Sequence, residues 1–285
     1  MRHNPVKEPL LAVQIYGGEP DVMARAAERV VERGAKIVDI NMGCPVKKVT
    51  RNLAGSALMT VPDRAAEVVL QIIERIDPVP VTVKMRSGWS DDHKNARELA
   101  LRLRDAGAAA IAIHPRTRAQ GYEGSADWSV IAEVKAALPD LPIIANGDIF
   151  SADDADEIVR TTGCDAIMIG RAALGNPWIF RDLVERWRAQ PAPLPPIARE
   201  RVETILRHFH ETLEHVGDPL RGVRKFRQHL IWYSRGSPDG SKFRERVVLF
   251  EEPRAVEDAV ETYFGGLESM DPREQPIYDS RSALG

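Results

Sequence analysis

Short β-branched runs alternate with longer amphipathic stretches through the first two thirds of the chain. The runs are LLAVQIYG (10–17), KIVDINMG (36–43), VPVTVKMR (79–86), AAIAIHPR (109–116), LPIIANGD (141–148) and DAIMIGRA (165–172). None shows a clean apolar–polar alternation, so each is expected to be a strand buried on both faces. Between the runs, apolar positions recur near the helical period. EPDVMARAAERVVERGA is expected to end as a helix at Gly34. DDHKNARELALRLRDAGA is expected to open on an acidic first turn and to stop at Gly107, and SADDADEIVRTTGC to run from an N-cap at Ser151 to Gly163. The repeat of roughly 25–35 residues is the size of one strand plus one helix.

Repeated strand–helix units make a parallel sheet, either open and doubly wound or closed into a barrel. The polar residues favour the barrel. Gln14, Asn41 with Cys44, Lys84, His114, Asn146 with Asp148, and Arg171 all fall near the C-terminal ends of successive runs. In a (β/α)8 barrel those ends form one ring, and that ring is the active site. The texture changes after residue 186, where RWRAQPAPLPPIARE carries Pro191, Pro193, Pro195 and Pro196, the composition of a semi-rigid linker. Beyond it ARERVETILRHFHETLEHVG, GVRKFRQHLIWYSRG and EEPRAVEDAVETYFGGLE keep helical spacing without strand-like runs. The expected organisation is therefore a barrel over 1–190, a helical domain over 195–265 and a polar tail over 266–285.

Composition narrows the function. A formal charge of −3 over 285 residues argues against a uniformly basic nucleic-acid binder but leaves room for a local basic face. No apolar run approaches the length of a membrane span. The two cysteines, Cys44 and Cys164, are too few for a disulfide framework and lack metal-ligand spacing, so no metal is expected and a reducing cytoplasm is.

Within NMGCPVKK, Gly43 and Pro45 force an abrupt exit from the strand and fix the Cys44 thiol at the barrel mouth. Lys47, Lys48 and Arg51 follow, and thiols become reactive in such positive surroundings. Cys44 could serve there as nucleophile, metal ligand or proton donor, or simply as packing. Lys84 sits inside an apolar run and needs an anion or a cavity, such as the charge a reduced flavin ring carries, unless it reaches off the rim to water. His114 reads equally as a satisfied core histidine, and Gln14 as a group that satisfies backbone. Gly147 and Gly170, in IIANGDIFS and IMIGRAALGNPWIF, permit close approach of backbone N–H groups to an anion at the start of the following helix. With Arg171 beside the second, the pair favours phosphate over a mere tight turn. Cys164 precedes the last strand on the stability side and reads as packing.

VQIYGG, DINMGCPVKKVTRNLAGSALM, VTVKMRSGW, AIHPRTR, IIANGDI and IMIGRAALGNPWIFRDL together resemble the tRNA-dihydrouridine synthases, nearest to their bacterial B-type branch, from about residue 10 to about residue 265. The resemblance implies an enzyme that uses FMN and NADPH to reduce the C5–C6 double bond of uridine in tRNA, cytoplasmic and monomeric if complete. It implies Cys44 as the general acid, Gln14, Lys84 and His114 at the flavin ring, and Asn146, Gly147, Asp148, Gly170 and Arg171 at its phosphate. Asn41, Lys47, Lys48, Arg51, Arg224, Lys225 and Arg227 are the residues expected to meet tRNA. One departure stands out: LLAVQIYGG corresponds to the family's third strand, so the expected barrel lacks its first two strand units. A truncated reading is therefore expected, with the natural start roughly 50–60 residues upstream. A small-molecule flavin reductase on the same scaffold, or a tRNA-binding remnant that cannot hold flavin, are the alternatives.

Overall fold

Each of the six apolar runs forms a strand, shorter than the run itself. In chain order they are β1 (Ala12–Ile15), β2 (Ile37–Met42), β3 (Val81–Arg86), then a hairpin of β4 (Gly88–Ser90) and β5 (His93–Lys94), then β6 (Ala110–His114), β7 (Ile143–Asn146) and β8 (Ala166–Met168). The computed structural model describes residues 9–191 and 193–269. Its contacts separate two units: residues up to Ile149 with Asp153–Met168, and Phe150–Ala152 with the residues from Ile169 on.

In the first unit all neighbouring strands of the main sheet are parallel, in the order β1–β2–β3–β6–β7–β8. Each strand lies beside the one before it, the order of consecutive (β/α)-barrel units rather than the reversed order of a doubly wound sheet. Among the described residues β1 and β8 are the two edges of this sheet. The helices of this unit are α1 (Pro20–Glu32), the short α2 (Lys47–Thr50), α3 (Pro62–Ile76), α4 (Ala96–Asp105), α5 (Ser129–Ala137) and α6 (Ala152–Thr162). α1 stops where Gly34 takes φ +98°, and α4 where Gly107 takes φ +97°, both left-handed conformations that cost a residue with Cβ.

Two expectations fail here. β6 is buried on both faces from Ile111 to His114, as expected, but β2 and β3 are not. In β2, Val38, Ile40 and Met42 are fully buried, whereas Asp39 and Asn41 between them are half-buried. β3 repeats this, with Val81, Val83 and Met85 buried and Thr82 and Lys84 half-buried. At β2 and β3 one face is covered and the other stays partly open, and β-branched neighbours mask the alternation in sequence. The second failure concerns the acidic first turn of the 91–108 helix. α4 begins only at Ala96, and Asp91 and Asp92 form the turn of the β4–β5 hairpin, where Asp91 pairs with Lys94 at 3.6 Å. Consecutive Ser and Asp side chains favour turns by binding nearby backbone, and that local chemistry wins over the helical pattern.

The second unit is helical: α7 (Ile179–Trp187), α8 (Ala198–Val216), α9 (Pro219–Tyr233), α10 (Gly240–Val247) and α11 (Pro253–Gly265). Its core gathers Phe209, Phe226 and Phe264 with Val223, Leu230, Val256 and Val260. The Asp218 side chain caps α9 by accepting from the Arg221 backbone N–H at 2.7 Å. The tail expected from residue 266 starts later, because Gly266–Ser269 forms a 3-10 turn and Leu267 joins the core. The remainder of that tail lies outside the described residues. Among the described residues no helix is long and apolar enough to cross a membrane.

Candidate active site

Register brings the polar residues of the open face side by side. Gln14 pairs with Asp39, Asp39 with Thr82, and Asn41 with Lys84 across β1, β2 and β3. Their side chains join in one run of hydrogen bonds. Thr82 Oγ1 donates to Asp39 Oδ1 at 2.6 Å, Gln14 Nε2 donates to Asp39 Oδ2 at 2.6 Å, and Asn41 Nδ2 donates to Gln14 Oε1 at 2.8 Å. Asn41 Oδ1 then accepts from the backbone N–H groups of Gly43 at 3.1 Å and Cys44 at 2.9 Å. The sheet thereby sets the turn that carries the thiol. From the other side Ser56 donates to the Cys44 carbonyl through both its N–H (3.1 Å) and its Oγ (2.9 Å). Gly55, at φ +58°, packs so closely that a Cβ there would lie 2.8 Å from the Cys44 carbonyl oxygen. Cys44 is half-buried and makes no disulfide.

Lys84 and Asp39 carry opposite charges on adjacent strands, and both feel burial. Burial, then the neighbouring Arg86, lowers the Lys84 ammonium to about 8 against the opposing pull of Asp39. Burial raises the Asp39 carboxyl, although Gln14, Thr82 and Lys84 all work to lower it. Lys84 makes no hydrogen bond or ion pair among the described residues, so its Nζ is an unspent cation. Arg86 differs. It is buried and its guanidinium reaches the carbonyls of Gly43 (2.9 Å), Thr117 (2.9 Å) and Gly121 (2.8 Å), which ties the thiol turn to the end of β3.

At the end of β6, burial followed by the charges of Arg86, Lys84 and Arg116 lowers His114 to about 3, so the ring is neutral at physiological pH. Arg116 holds both Asp148 oxygens, at 2.8 and 2.7 Å, and the same carboxylate accepts from the Ala126 N–H at 2.8 Å. Asp148 sits at φ +55° and Gly147 at φ +111°. A Cβ on Gly147 would come within 2.7 Å of the His114 ring, so this turn needs glycine. Asn146 Nδ2 donates to the Met168 carbonyl at 2.7 Å, which bridges β7 and β8.

Lys47, Lys48 and Arg51 lie on and just after α2, exposed and without ion pairs among the described residues. In the helical unit Gly170 is exposed and precedes a three-residue 3-10 turn, Arg171–Ala173, rather than the helix expected to point its N-terminus at an anion. The Arg171 guanidinium lies 5.5 Å from the centre of the Phe150 ring. Arg224 and Arg227, expected to grip tRNA, are bound within the fold. Arg224 pairs with Glu251 at 2.8 Å, and Arg227 Nε donates to the Phe250 carbonyl at 3.0 Å, both closing the loop before α11. Lys225 remains exposed. Sequence reasoning missed Asp39, Arg86 and Arg116. Asp39 was as visible as Lys84, a charge inside an apolar run. The two arginines gave no local signal, because their partners lie on other strands and loops.

A barrel-type parallel sheet whose strand ends gather a thiol, an unspent lysine and a neutral histidine belongs to the class of α/β enzymes that act at the C-terminal mouth. Comparison with known proteins makes this particular. The dihydrouridine synthase (Dus) profile matches residues 2–265, and the chain belongs to that family. It is 45% identical over 268 residues to tRNA-dihydrouridine synthase B of Xanthomonas campestris pv. campestris, covering 94% of this chain and 79% of the relative. It is 41% identical over 261 residues to tRNA-dihydrouridine synthase B of Escherichia coli K12, covering 91% of this chain and 80% of the relative. Among solved structures, dihydroorotate dehydrogenase (DHODH) of Eimeria tenella in complex with ferulenol aligns at a TM-score of 0.43 and 15% identity over 61% of this chain and 56% of that one, too slight a likeness to add to the argument.

Proposed function

We propose that this chain reduces the C5–C6 double bond of uridine in tRNA, with FMN as the hydride carrier and NADPH as its reductant. The observation that carries the reading is Cys44, half-buried on a turn fixed by Asn41, Gly55 and Ser56 beside the unspent charge of Lys84. The open face fits a flavin: it offers a cation without a partner, and Gln14 keeps one amide N–H free after its bond to Asp39. FMN, when bound, supplies hydride to C6 of the uracil. Cys44 Sγ gives its proton to C5, so the ring gains two hydrogens and the thiolate recovers a proton from water. Lys84 Nζ stabilises negative charge on the flavin edge, and neutral His114 offers a hydrogen bond without adding charge. Arg116 and Asp148 hold the 146–148 turn, whose backbone at Gly147 would meet the phosphate end of the cofactor.

Asn41 also borders the uracil, and Lys47, Lys48 and Arg51 meet tRNA phosphates; in the helical unit Lys225 does the same, while Arg224 and Arg227 hold the loop before α11. A tRNA substrate places the work in the cytoplasm, and we take the acting form to be a monomer. The relatives' names favour this reading over a small-molecule reductase or a binding remnant. The test is direct. The purified chain should show flavin absorbance, bleach it with NADPH, and convert uridine to dihydrouridine in unmodified tRNA. A colourless protein that binds tRNA without modifying it would refute the assignment.

A further inference from the structure

A cleft of about 400 Å³ lies beside the β4–β5 hairpin, lined by Met59, Thr60, Trp89, His93, Lys94 and Asn95. It adjoins the thiol turn through continuous structure. The 3-10 segment Gly55–Thr60 begins against Cys44 and ends in the cleft. From Ser56 to Thr60 a 3-10 rise carries the chain about 8 Å, the reach of a neighbouring nucleotide. Asn95 Nδ2 donates to the Met59 carbonyl at 2.8 Å, which fastens the hairpin to that segment.

The walls have the chemistry of a base platform. Trp89 presents its indole, and the Arg118 guanidinium lies over that ring at 4.6 Å from its centre. Backbone bonds fix the pair: Arg118 N–H donates to the Gly88 carbonyl at 2.9 Å and Ala119 N–H to the Trp89 carbonyl at 3.0 Å. Arg118 Nε is buried with no hydrogen-bond partner among the described residues, although buried donors of this kind are nearly always satisfied. Lys94 is exposed and held only by the exposed Asp91, so it can turn to a phosphate.

Resting on the reading of this chain as a tRNA-uridine reductase, we propose that the cleft seats the nucleotide adjacent to the target uridine, its base stacked on Trp89 and its phosphate met by Lys94. Extruding a uridine breaks its stacking with its neighbour, and an aromatic wall beside the thiol turn restores that lost contact. A base bound there would register the uridine over Cys44.

The test uses the full flavin-loaded chain and three substrates: NADPH alone, unmodified tRNA, and the same tRNA with an abasic site next to the target. Trp89→Ala should raise the KM for tRNA by roughly fivefold to a hundredfold, the worth of one base–aromatic stack. Trp89→Phe should restore most of it, and flavin reduction by NADPH should stay unchanged in both. The abasic tRNA should be equally poor for wild type and Trp89→Ala, because the contact is already gone. Lys94→Ala, at an exposed side chain whose ion pair among the described residues is with Asp91, should raise the tRNA KM severalfold and flatten its salt dependence. The proposal is overturned if Trp89→Ala and Lys94→Ala both match wild type on tRNA. It is equally overturned if they slow NADPH oxidation instead, which would make the cleft a coenzyme site, or if Trp89→Ala loses as much on abasic tRNA as on intact tRNA. Absence of any dihydrouridine formation by wild type would sink the parent reading instead.

Discussion

The cations marked in the sheet unit and the arginines marked in the helical unit are used differently. Among the described residues of the sheet unit, Lys84 makes no ion pair, Cys44 is half-buried, and Lys47, Lys48 and Arg51, on and just after α2, stand exposed and unpaired. In the helical unit Arg224 is bound to Glu251, Arg227 to the Phe250 carbonyl, and His208 Nδ1 lies 3.1 Å from the Tyr233 hydroxyl. Arg224 and Arg227 close a loop as Arg86 and Arg116 do in the sheet unit, whereas Lys84 and the α2 cations stay available. A basic residue in a sequence is therefore no evidence of a binding face until its partners are known.

The contrast is broken most sharply at Cys44. Cys44→Ala should leave NADPH-driven flavin reduction intact and slow uridine reduction by roughly 10²–10⁴, the usual worth of a positioned acid. Single-turnover kinetics with reduced enzyme and tRNA measure this, and full activity would reduce the thiol to packing. Phe226→Ala should act only through stability. Removing a fully buried aromatic from the helical core costs about 3–5 kcal/mol, readable as a drop in the denaturant midpoint with unchanged slope.

The two cation groups should separate next. Reversing Lys47 and Lys48 to Glu should weaken tRNA binding and lessen its salt dependence without loss of thermal stability. Arg227→Ala should instead destabilise the chain, by roughly 1.5–3 kcal/mol for a lost charged hydrogen bond, and change the salt slope little. Equal salt slopes for both variants would erase the distinction.

Titration gives the smallest effects. Lys84 in the folded chain titrates near 8, below its ordinary value of 10.5. Its charge, and with it FMN affinity, should decline as pH rises through about 8, and Lys84→Met should remove that decline. His114 near 3 works the other way. Between its ordinary value of 6.5 and 3 the unfolded chain binds a proton that the folded ring refuses, so stability falls as pH drops through that window. Urea unfolding at several pH values should show a shallower acid loss for His114→Asn than for wild type.

Much of this arrangement follows from sequence alone. Apolar runs spaced by one helix length dictate sequential parallel strands, because a buried run pairs beside its predecessor and the intervening helix covers one face. Gly34 and Gly107 end their helices for a local reason, the left-handed φ that glycine takes without strain. The polar groups near the strand ends could be marked because a charge inside an apolar run is costly wherever the run goes. What only tertiary structure decided is which of those groups remain free. Asp39 is joined to Gln14 and Thr82 through strand register. Arg116 is committed to Asp148, 32 residues away, and Arg224 to Glu251, 27 residues away. Partners that far apart in sequence leave no local trace, since hydrogen bonds and ion pairs act over a few ångströms of space and the chain's path sets who comes within them.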